Sequence, residues 1–138
     1  DPEACHAKYL RTFIDAHADQ KIVLLHAGYP YTDDALLLCR YYPNVFLDLA
    51  WLHILDRREA VRTIERIVEL LPVNKIAGFG GDVCTPVNTV GNLSISLENM
   101  AQAFSELVRS GDMSAAEAEE TCRLWLYENP KQIYGVNA

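Results

Sequence analysis

Two side chains that could carry out acid–base or metal chemistry, His26 and Asp82, stand at or just past the ends of apolar runs of the chain. An imidazole at the end of a strand can bind a metal ion or transfer a proton, and it can equally be a hydrogen-bonded histidine of the core. Asp82 follows two glycines that allow a tight backbone turn. Its carboxylate could bind a divalent metal, accept a proton from metal-bound water or cap the next turn. Since catalytic zinc normally takes three protein ligands and a water, these two residues alone make an incomplete metal site.

Other polar and aromatic residues near these positions are candidates for lining a substrate pocket. They are Tyr29, Trp51, Cys84 and Thr85. The aromatic residues among them are equally suited to plain packing. Asp48 lies inside an apolar run, and the cost of burying a carboxylate without partners predicts a structural hydrogen bond there. His53 is predicted to be a loop residue near the strand ends, and His6 and His17 are predicted to have structural roles on the first helix.

Three short apolar runs predict β-strands, over residues 21–26, 45–51 and 75–79. Helical patterns separate these runs, and this alternation is typical of parallel strands joined by right-handed crossovers. The carboxyl ends of parallel strands lie at the same edge of a sheet, where reactive groups collect. We therefore expect an α/β fold in which His26, Trp51 and Asp82 share one edge.

Apolar spacing and capping patterns predict the helices around these strands. The predicted helical segments are 4–18, 32–42, 56–71, 94–110 and 114–127, followed by a short turn over 129–135. Asp56 and Glu59 have capping-box spacing, and so do Ser114 and Glu117. Residues 83–93 contain proline, glycine and two asparagines without periodicity, so they are predicted to be a loop of the kind that often carries function.

Composition excludes several classes of protein. The chain has 138 residues, half of them apolar, with 12 Lys and Arg against 19 Asp and Glu and a net charge of −7. Such a chain can fold as one domain, and its acidic balance makes nucleic acid a poor candidate partner. No apolar run approaches the roughly 20 residues that cross a bilayer, so no membrane partner is expected.

The four cysteines and the first residue bear on the protein's location and completeness. Because no CxxC pair occurs, a reducing compartment and a cytoplasmic location are expected, and a four-cysteine zinc site is disfavoured. The chain begins with Asp1 rather than Met, which indicates a processed chain or a fragment.

Four short motifs follow one another in a recognisable order. They are Lys-Ile-Val-Leu-Leu-His-Ala-Gly-Tyr-Pro at 21–30, Tyr-Pro-Asn-Val-Phe-Leu-Asp-Leu at 42–49, Asn-Lys-Ile-Ala-Gly-Phe-Gly-Gly-Asp at 74–82 and Glu-Asn-Pro-Lys-Gln-Ile-Tyr-Gly at 128–135. Together they resemble the carboxyl-terminal part of amidohydrolase-2-type proteins, and the resemblance extends over about residues 4–136. That family consists of metal-dependent (β/α)8 barrels that include hydrolases and decarboxylases, with uronate isomerases as relatives.

The resemblance implies that the three strands are the sixth, seventh and eighth of a TIM barrel. It implies that Asp82 binds a divalent metal, with zinc as the first choice, and handles the proton of the metal-bound water. It places His26 beside this metal as a ligand or catalytic group. The chain reads Gly-Gly-Asp where the family more usually has Gly-Ser-Asp, and it has no counterpart of the family's first-strand His-x-His pair or fifth-strand histidine. A complete barrel takes roughly 250 residues, so residues 1–138 are expected to form one partial domain.

The leading hypothesis is therefore a piece of a metal-dependent hydrolase or lyase that acts on a small, carboxylated molecule. This piece alone is expected to be inactive and to associate with another copy or with the missing part of the barrel, because its first strand would have an open edge. One alternative is a non-catalytic α/β binding or assembly domain derived from the same barrel. Another is a small open-sheet enzyme that is complete in itself, with residues 83–93 as a lid over its site.

Overall fold

The computed structural model describes residues 2–136 and has the α/β architecture that the sequence predicts. The strands are β1 (Ile22–Leu24), β2 (Val45–Asp48) and β3 (Ile76–Ala77). The α-helices are α1 (Arg11–Ala16), α2 (Thr32–Tyr41), α3 (Leu52–Leu55), α4 (Arg57–Leu70), α5 (Pro86–Ser110), α6 (Ala115–Arg123) and α7 (Asn129–Tyr134). Among the described residues, no helix is both long enough and apolar enough to cross a membrane.

The three strands form one parallel sheet in the order β1-β2-β3, as the alternation of strands and helices predicts. Ile22 lies opposite Val45, and Leu47 lies opposite Ile76. Each strand is shorter than predicted. β1 ends two residues before the left-handed His26, and β2 ends three residues before the left-handed Trp51. Within residues 2–136, β1 and β3 each pair on one side only, which leaves the outer edge of each strand unpaired.

The central strand β2 supplies the middle of the hydrophobic core. Val45 and Leu47 are fully buried, and so are Ile64 and Ile67 of α4. Phe104 of α5 belongs to the same buried cluster. Each such side chain contributes roughly 1.5 to 3 kcal/mol by leaving water, so this core holds the carboxyl ends of the strands in place.

The predicted loop over residues 83–93 is wrong from Pro86 onward. Helix α5 begins at Pro86 with Thr85 as its N-cap, and Ser94 lies inside the helix rather than at its start. A proline at the first helical position needs no N–H partner and has a suitable φ, so it favours this start. The hypothesis of a loop-shaped lid over residues 83–93 is therefore also wrong.

The single helix predicted over residues 4–18 is divided in the structure. Two 3-10 turns, Pro2–Cys5 and Ala7–Leu10, precede α1. His6 between them has an extended backbone; its Nδ1 lies 2.6 Å from the carboxylate of Asp34, and its ring stacks on Tyr31. These tertiary contacts account for the interruption of the helical pattern.

The carboxyl-terminal helices end the fold as predicted, with one irregularity. Ser114 and Glu117 form both hydrogen bonds of the capping box, and Gly135 ends α7 with a φ of 68°. Between α6 and α7 the chain remains helical but widens into a π-helical segment, Leu124–Glu128. There the carbonyl of Trp125 accepts a 2.8 Å hydrogen bond from the N–H of Gly78, just after β3.

Candidate functional site

Left-handed backbone marks the carboxyl ends of all three strands. Within residues 2–136, the non-glycine residues with positive φ are His26 (58°), Ala27 (49°), Trp51 (63°) and Asp82 (41°). Each follows a strand by two to five residues. A side chain disfavours this conformation by about 1 to 2 kcal/mol per residue, and strain of this kind is concentrated at functional sites. All four residues lie near the carboxyl edge of the sheet that the sequence analysis selects, and we call this edge the rim.

His26 and Asp82 meet at this rim. The Nε2 atom of His26 lies 3.7 Å from the Oδ2 atom of Asp82, although 56 residues separate the two in the chain. The imidazole is 30% exposed and the carboxylate 49% exposed, so solvent or a ligand can reach both. The parallel sheet thus brings the two predicted site residues together as expected.

The hydrogen bond on the other side of the imidazole fixes its tautomer. His26 Nδ1 lies 2.7 Å from the carbonyl oxygen of Ala50. A carbonyl oxygen only accepts, so Nδ1 must carry a hydrogen and donate it. In the neutral ring, Nε2 then holds a lone pair that faces the carboxylate of Asp82. Two electron-pair donors at this separation attract a proton or a cation between them.

A buried carboxylate holds the turn that carries this carbonyl. Asp48 is 4% exposed, and its Oδ1 accepts a 2.7 Å hydrogen bond from the N–H of Ala50. Its Oδ2 accepts a hydrogen bond from the hydroxyl of Tyr134, and burial, together with this bond, raises the pKa of Tyr134 above its usual value. The predicted structural hydrogen bonding of Asp48 is confirmed.

The two glycines before Asp82 let the backbone approach this turn closely. A Cβ atom on Gly80 would lie 2.8 Å from the Cβ of Ala50 and 3.2 Å from Oδ1 of Asp48. On Gly81 a Cβ would lie 3.0 Å from a methyl carbon of Thr89 in α5. The Gly-Gly pair therefore lets the segment before Asp82 pack between β2 and α5.

His53 was predicted to be a loop residue, and this prediction is wrong. The side chain lies in α3 and is 1% exposed. Its Nε2 donates a 3.0 Å hydrogen bond to the carbonyl of Gly78, and its Nδ1 lies 3.4 Å from the amide nitrogen of Asn99. Burial lowers the pKa of His53, which favours the neutral ring. His53 thus joins the end of β3 to α5 instead of reaching the rim.

The predicted pocket-lining residues lie in different places. Trp51 is 40% exposed, and the centroid of its ring lies 6.0 Å from that of the His26 ring, so it forms one wall of the rim. Tyr29 instead lines a cleft of about 350 Å³ together with His6 and residues at the amino-terminal ends of α2 and α4. Cys84 and Thr85 are exposed between Asp82 and α5.

The residues present fit part of a metal site. Within residues 2–136, no group of three or more His, Cys, Asp or Glu side chains could hold a metal ion. Two ligands of a tetrahedral zinc ion, each about 2.0 to 2.1 Å from it, lie about 3.3 Å apart. The 3.7 Å between His26 and Asp82 is close to this value, and the Nδ1–H bond to a carbonyl is typical of metal-binding histidines. The pair can therefore supply two ligands, and any others would have to come from elsewhere.

Sequence reasoning missed Tyr134, which supports the site through Asp48, and it misplaced His53. Tyr134 is separated from Asp48 by 86 residues, and its residue type carries no signal for a site. His53 stands in an apolar helix where a loop was predicted. The one usable signal was the buried position of Asp48, since a buried carboxylate requires partners without identifying them.

Comparison with known proteins gives one distant similarity. No family model matches the chain, and no solved structure gives a significant match. The chain is 28% identical over 131 residues to Protein fluG of Emericella nidulans, in a match that covers 94% of this chain. The same match covers 15% of that protein, so the chain corresponds to a small part of a much longer relative.

Proposed function

We propose that this chain is the carboxyl-terminal portion of a metal-dependent hydrolase or lyase of the amidohydrolase superfamily, with β1, β2 and β3 as the last three strands of a TIM barrel. The observation that carries this proposal is the approach of His26 Nε2 to Asp82 Oδ2 at the carboxyl edge of a parallel sheet. In TIM barrels this edge carries the active site.

The unpaired sheet edges and the incomplete ligand set support a site that is shared with more chain. β1 and β3 each have a free edge within residues 2–136, where further strands could pair. Catalytic zinc normally takes three protein ligands, and His26 and Asp82 provide two candidates. The match to a small part of a longer protein agrees with this interpretation. The proposed partner of the sheet is therefore the remainder of the barrel, and a second copy of the chain is the alternative.

The side chains at the rim have complementary chemical roles in this proposal. A bound divalent metal supplies an activated water and polarises a substrate oxygen. The carboxylate of Asp82 would accept the proton of the attacking water, and Nε2 of His26, whose lone pair faces this carboxylate, would help to hold the metal. Trp51 provides an apolar wall beside His26 for a small, carboxylated substrate of the class that the resemblance implies.

Zinc titration of variants tests the assignment directly. Because exposed thiols also attract zinc, the titration uses a background in which Cys5 and Cys84 are serines. We expect weak binding by this background, and at least about tenfold weaker binding by Asp82→Asn and His26→Gln, since each removes one ligand. The matched control is His17→Gln, which alters the histidine that follows α1 and should leave the affinity unchanged.

Two results would contradict the proposal. One is equal zinc affinity in the background and in all three variants. The other is the absence of any change in the His26 ring resonances at millimolar zinc. In the longer protein that carries this segment, Asp82→Asn should lower both the bound metal and the turnover. A longer protein without metal would instead favour the non-catalytic binding or assembly domain.

A further inference from the structure

We propose that Tyr134 is a positioning residue for His26, acting through Asp48 and the peptide group of Ala50. This inference rests on the proposed function, in which His26 is a metal-binding or catalytic residue. Tyr134 lies in the last helix, α7, more than 100 residues after His26. The connection between them consists of consecutive hydrogen bonds.

The orientation of the His26 ring depends on the carbonyl of Ala50. This carbonyl accepts a 2.7 Å hydrogen bond from Nδ1 of His26 and another 2.7 Å bond from the N–H of Leu52. It therefore serves both the imidazole and the first turn of α3. A rotation of the peptide group that carries it would remove the acceptor that holds Nδ1–H and free the other tautomer.

The peptide groups around Ala50 are held in turn by Asp48. The N–H of Ala50 bonds to Oδ1 of Asp48 two residues earlier, which is the pattern by which an aspartate stabilises a tight turn. Trp51 follows in a left-handed conformation, with a φ of 63°, that its side chain disfavours. The hydrogen bond from Asp48 therefore stabilises a turn that leads into the unfavourable backbone conformation of Trp51.

The remaining oxygen of Asp48 is held by Tyr134. Oδ2 accepts a hydrogen bond from the tyrosine hydroxyl, and a charge-assisted bond of this kind is stronger than a neutral one. Asp48 is 4% exposed whereas Tyr134 is 48% exposed, so the tyrosine reaches inward from the surface to a buried carboxylate. Without the hydroxyl, the carboxylate loses a fixed partner and its orientation towards Ala50 is no longer defined.

The tautomer of His26 is the readout that separates positioning from mere stability. In the unmodified chain, 15N NMR of the imidazole should show the Nδ1–H form almost entirely. Tyr134→Phe removes only the hydroxyl, and the fraction of the Nε2–H form should then rise several-fold. The matched control is Tyr127→Phe, because Tyr127 is a surface tyrosine, 54% exposed, whose hydroxyl accepts a hydrogen bond from the surface residue Lys131.

A second variant keeps the test decisive if Tyr134→Phe fails to fold. In Asp48→Asn, the amide oxygen can still accept from the N–H of Ala50, and the amide nitrogen can donate to the hydroxyl oxygen of Tyr134. This folded variant should retain the Nδ1–H tautomer of His26. A shift to the Nε2–H form in folded Asp48→Asn would overturn the inference, as would an unchanged tautomer in folded Tyr134→Phe.

Zinc affinity distinguishes this inference from the proposed function. Tyr134→Phe should weaken zinc binding about tenfold if His26 is a ligand, since loss of the support of a ligand typically has that effect. A changed tautomer with unchanged zinc affinity would support the positioning role and contradict the metal site. An unchanged tautomer refutes the positioning role whatever the zinc affinity.

Discussion

Replacing Gly80 with alanine should destabilise the chain, because the added methyl group has no space. Its Cβ would lie 2.8 Å from the Cβ of Ala50, while non-bonded carbon atoms prefer about 3.5 to 4.0 Å. Ala50 is 5% exposed and its backbone is hydrogen-bonded on both sides, so it cannot move as the end of a flexible side chain could. Overpacking of this size costs about 1 to 3 kcal/mol.

Gly91→Ala is the matched control for this prediction. Gly91 lies inside α5, and apart from its own chain neighbours and the nearby backbone of the helix, no described atom lies within 4 Å of the Cβ that alanine would add. Alanine in an exposed helix is up to about 1 kcal/mol more favourable than glycine, so this variant should be more stable than the parent chain. The same change of residue type is therefore expected to have opposite signs at the two positions.

Equilibrium urea unfolding followed by circular dichroism measures both changes. With a urea dependence of about 1 to 3 kcal/mol per molar, the midpoint for Gly80→Ala should fall by roughly 0.5 to 2 M, and that for Gly91→Ala should rise. The His26 ring resonances should also move in Gly80→Ala, since the Ala50 carbonyl is displaced. A Gly80→Ala variant as stable as the parent would show that the segment before Asp82 does not pack on Ala50.

Two further predictions concern the dependence of stability on pH. Burial lowers the pKa of His53 in the folded chain, so below about pH 6.5 the unfolded chain binds a proton more readily at this residue. The free energy of unfolding should therefore decrease as the pH falls, by up to about 1.4 kcal/mol per pH unit. Urea unfolding at several pH values should show a shallower slope for His53→Gln, and identical slopes would contradict the role of burial. Burial raises the pKa of Cys39 to about 11. Between about pH 9 and 11 the thiol is therefore deprotonated in the unfolded chain but still protonated in the folded chain. Raising the pH over this range should lower the free energy of unfolding by on the order of 2 to 3 kcal/mol. Cys39→Ala should lose less stability over the same range, and an equal loss in both proteins would refute this assignment.

The strands and their parallel order could be predicted because they depend on short-range patterns. Runs of branched apolar residues bounded by glycine or proline identify buried strands, and the helices between them require parallel pairing. The strand ends were less accurate, since the left-handed turns at His26 and Trp51 depend on tertiary contacts. No local pattern indicates that a histidine or a tryptophan will adopt a positive φ.

The predicted loop before α5 failed for a different reason. Asn88, Gly91 and Asn92 are poor helix formers, and they hid the helical start that Pro86 provides. Within the helix, Asn92 donates a 3.1 Å hydrogen bond to the carbonyl of Gly81, a contact that no local pattern reveals. Tertiary contacts thus compensate for weak local propensity in the first turns of α5.

The partners of the site residues were beyond the reach of sequence reasoning. The shared rim followed from topology alone, so His26 and Asp82 could be paired before any distance was known. A buried Asp48 required a hydrogen-bond donor, but many tyrosines, serines and backbone groups could have served. The choice of Tyr134 depends on how α7 packs against the sheet, which apolar spacing does not specify.

The π-helical segment Leu124–Glu128 sets the angular position of everything that follows it. Each residue of an α-helix turns the chain by about 100°. Deleting one residue from the widened turn, which would restore ordinary helical winding, would therefore rotate Tyr134 away from the carboxylate that it now contacts. The number of residues between α6 and α7 thus matters as much as their types. A related protein with one residue fewer in this segment should lack the support that Tyr134 gives to His26.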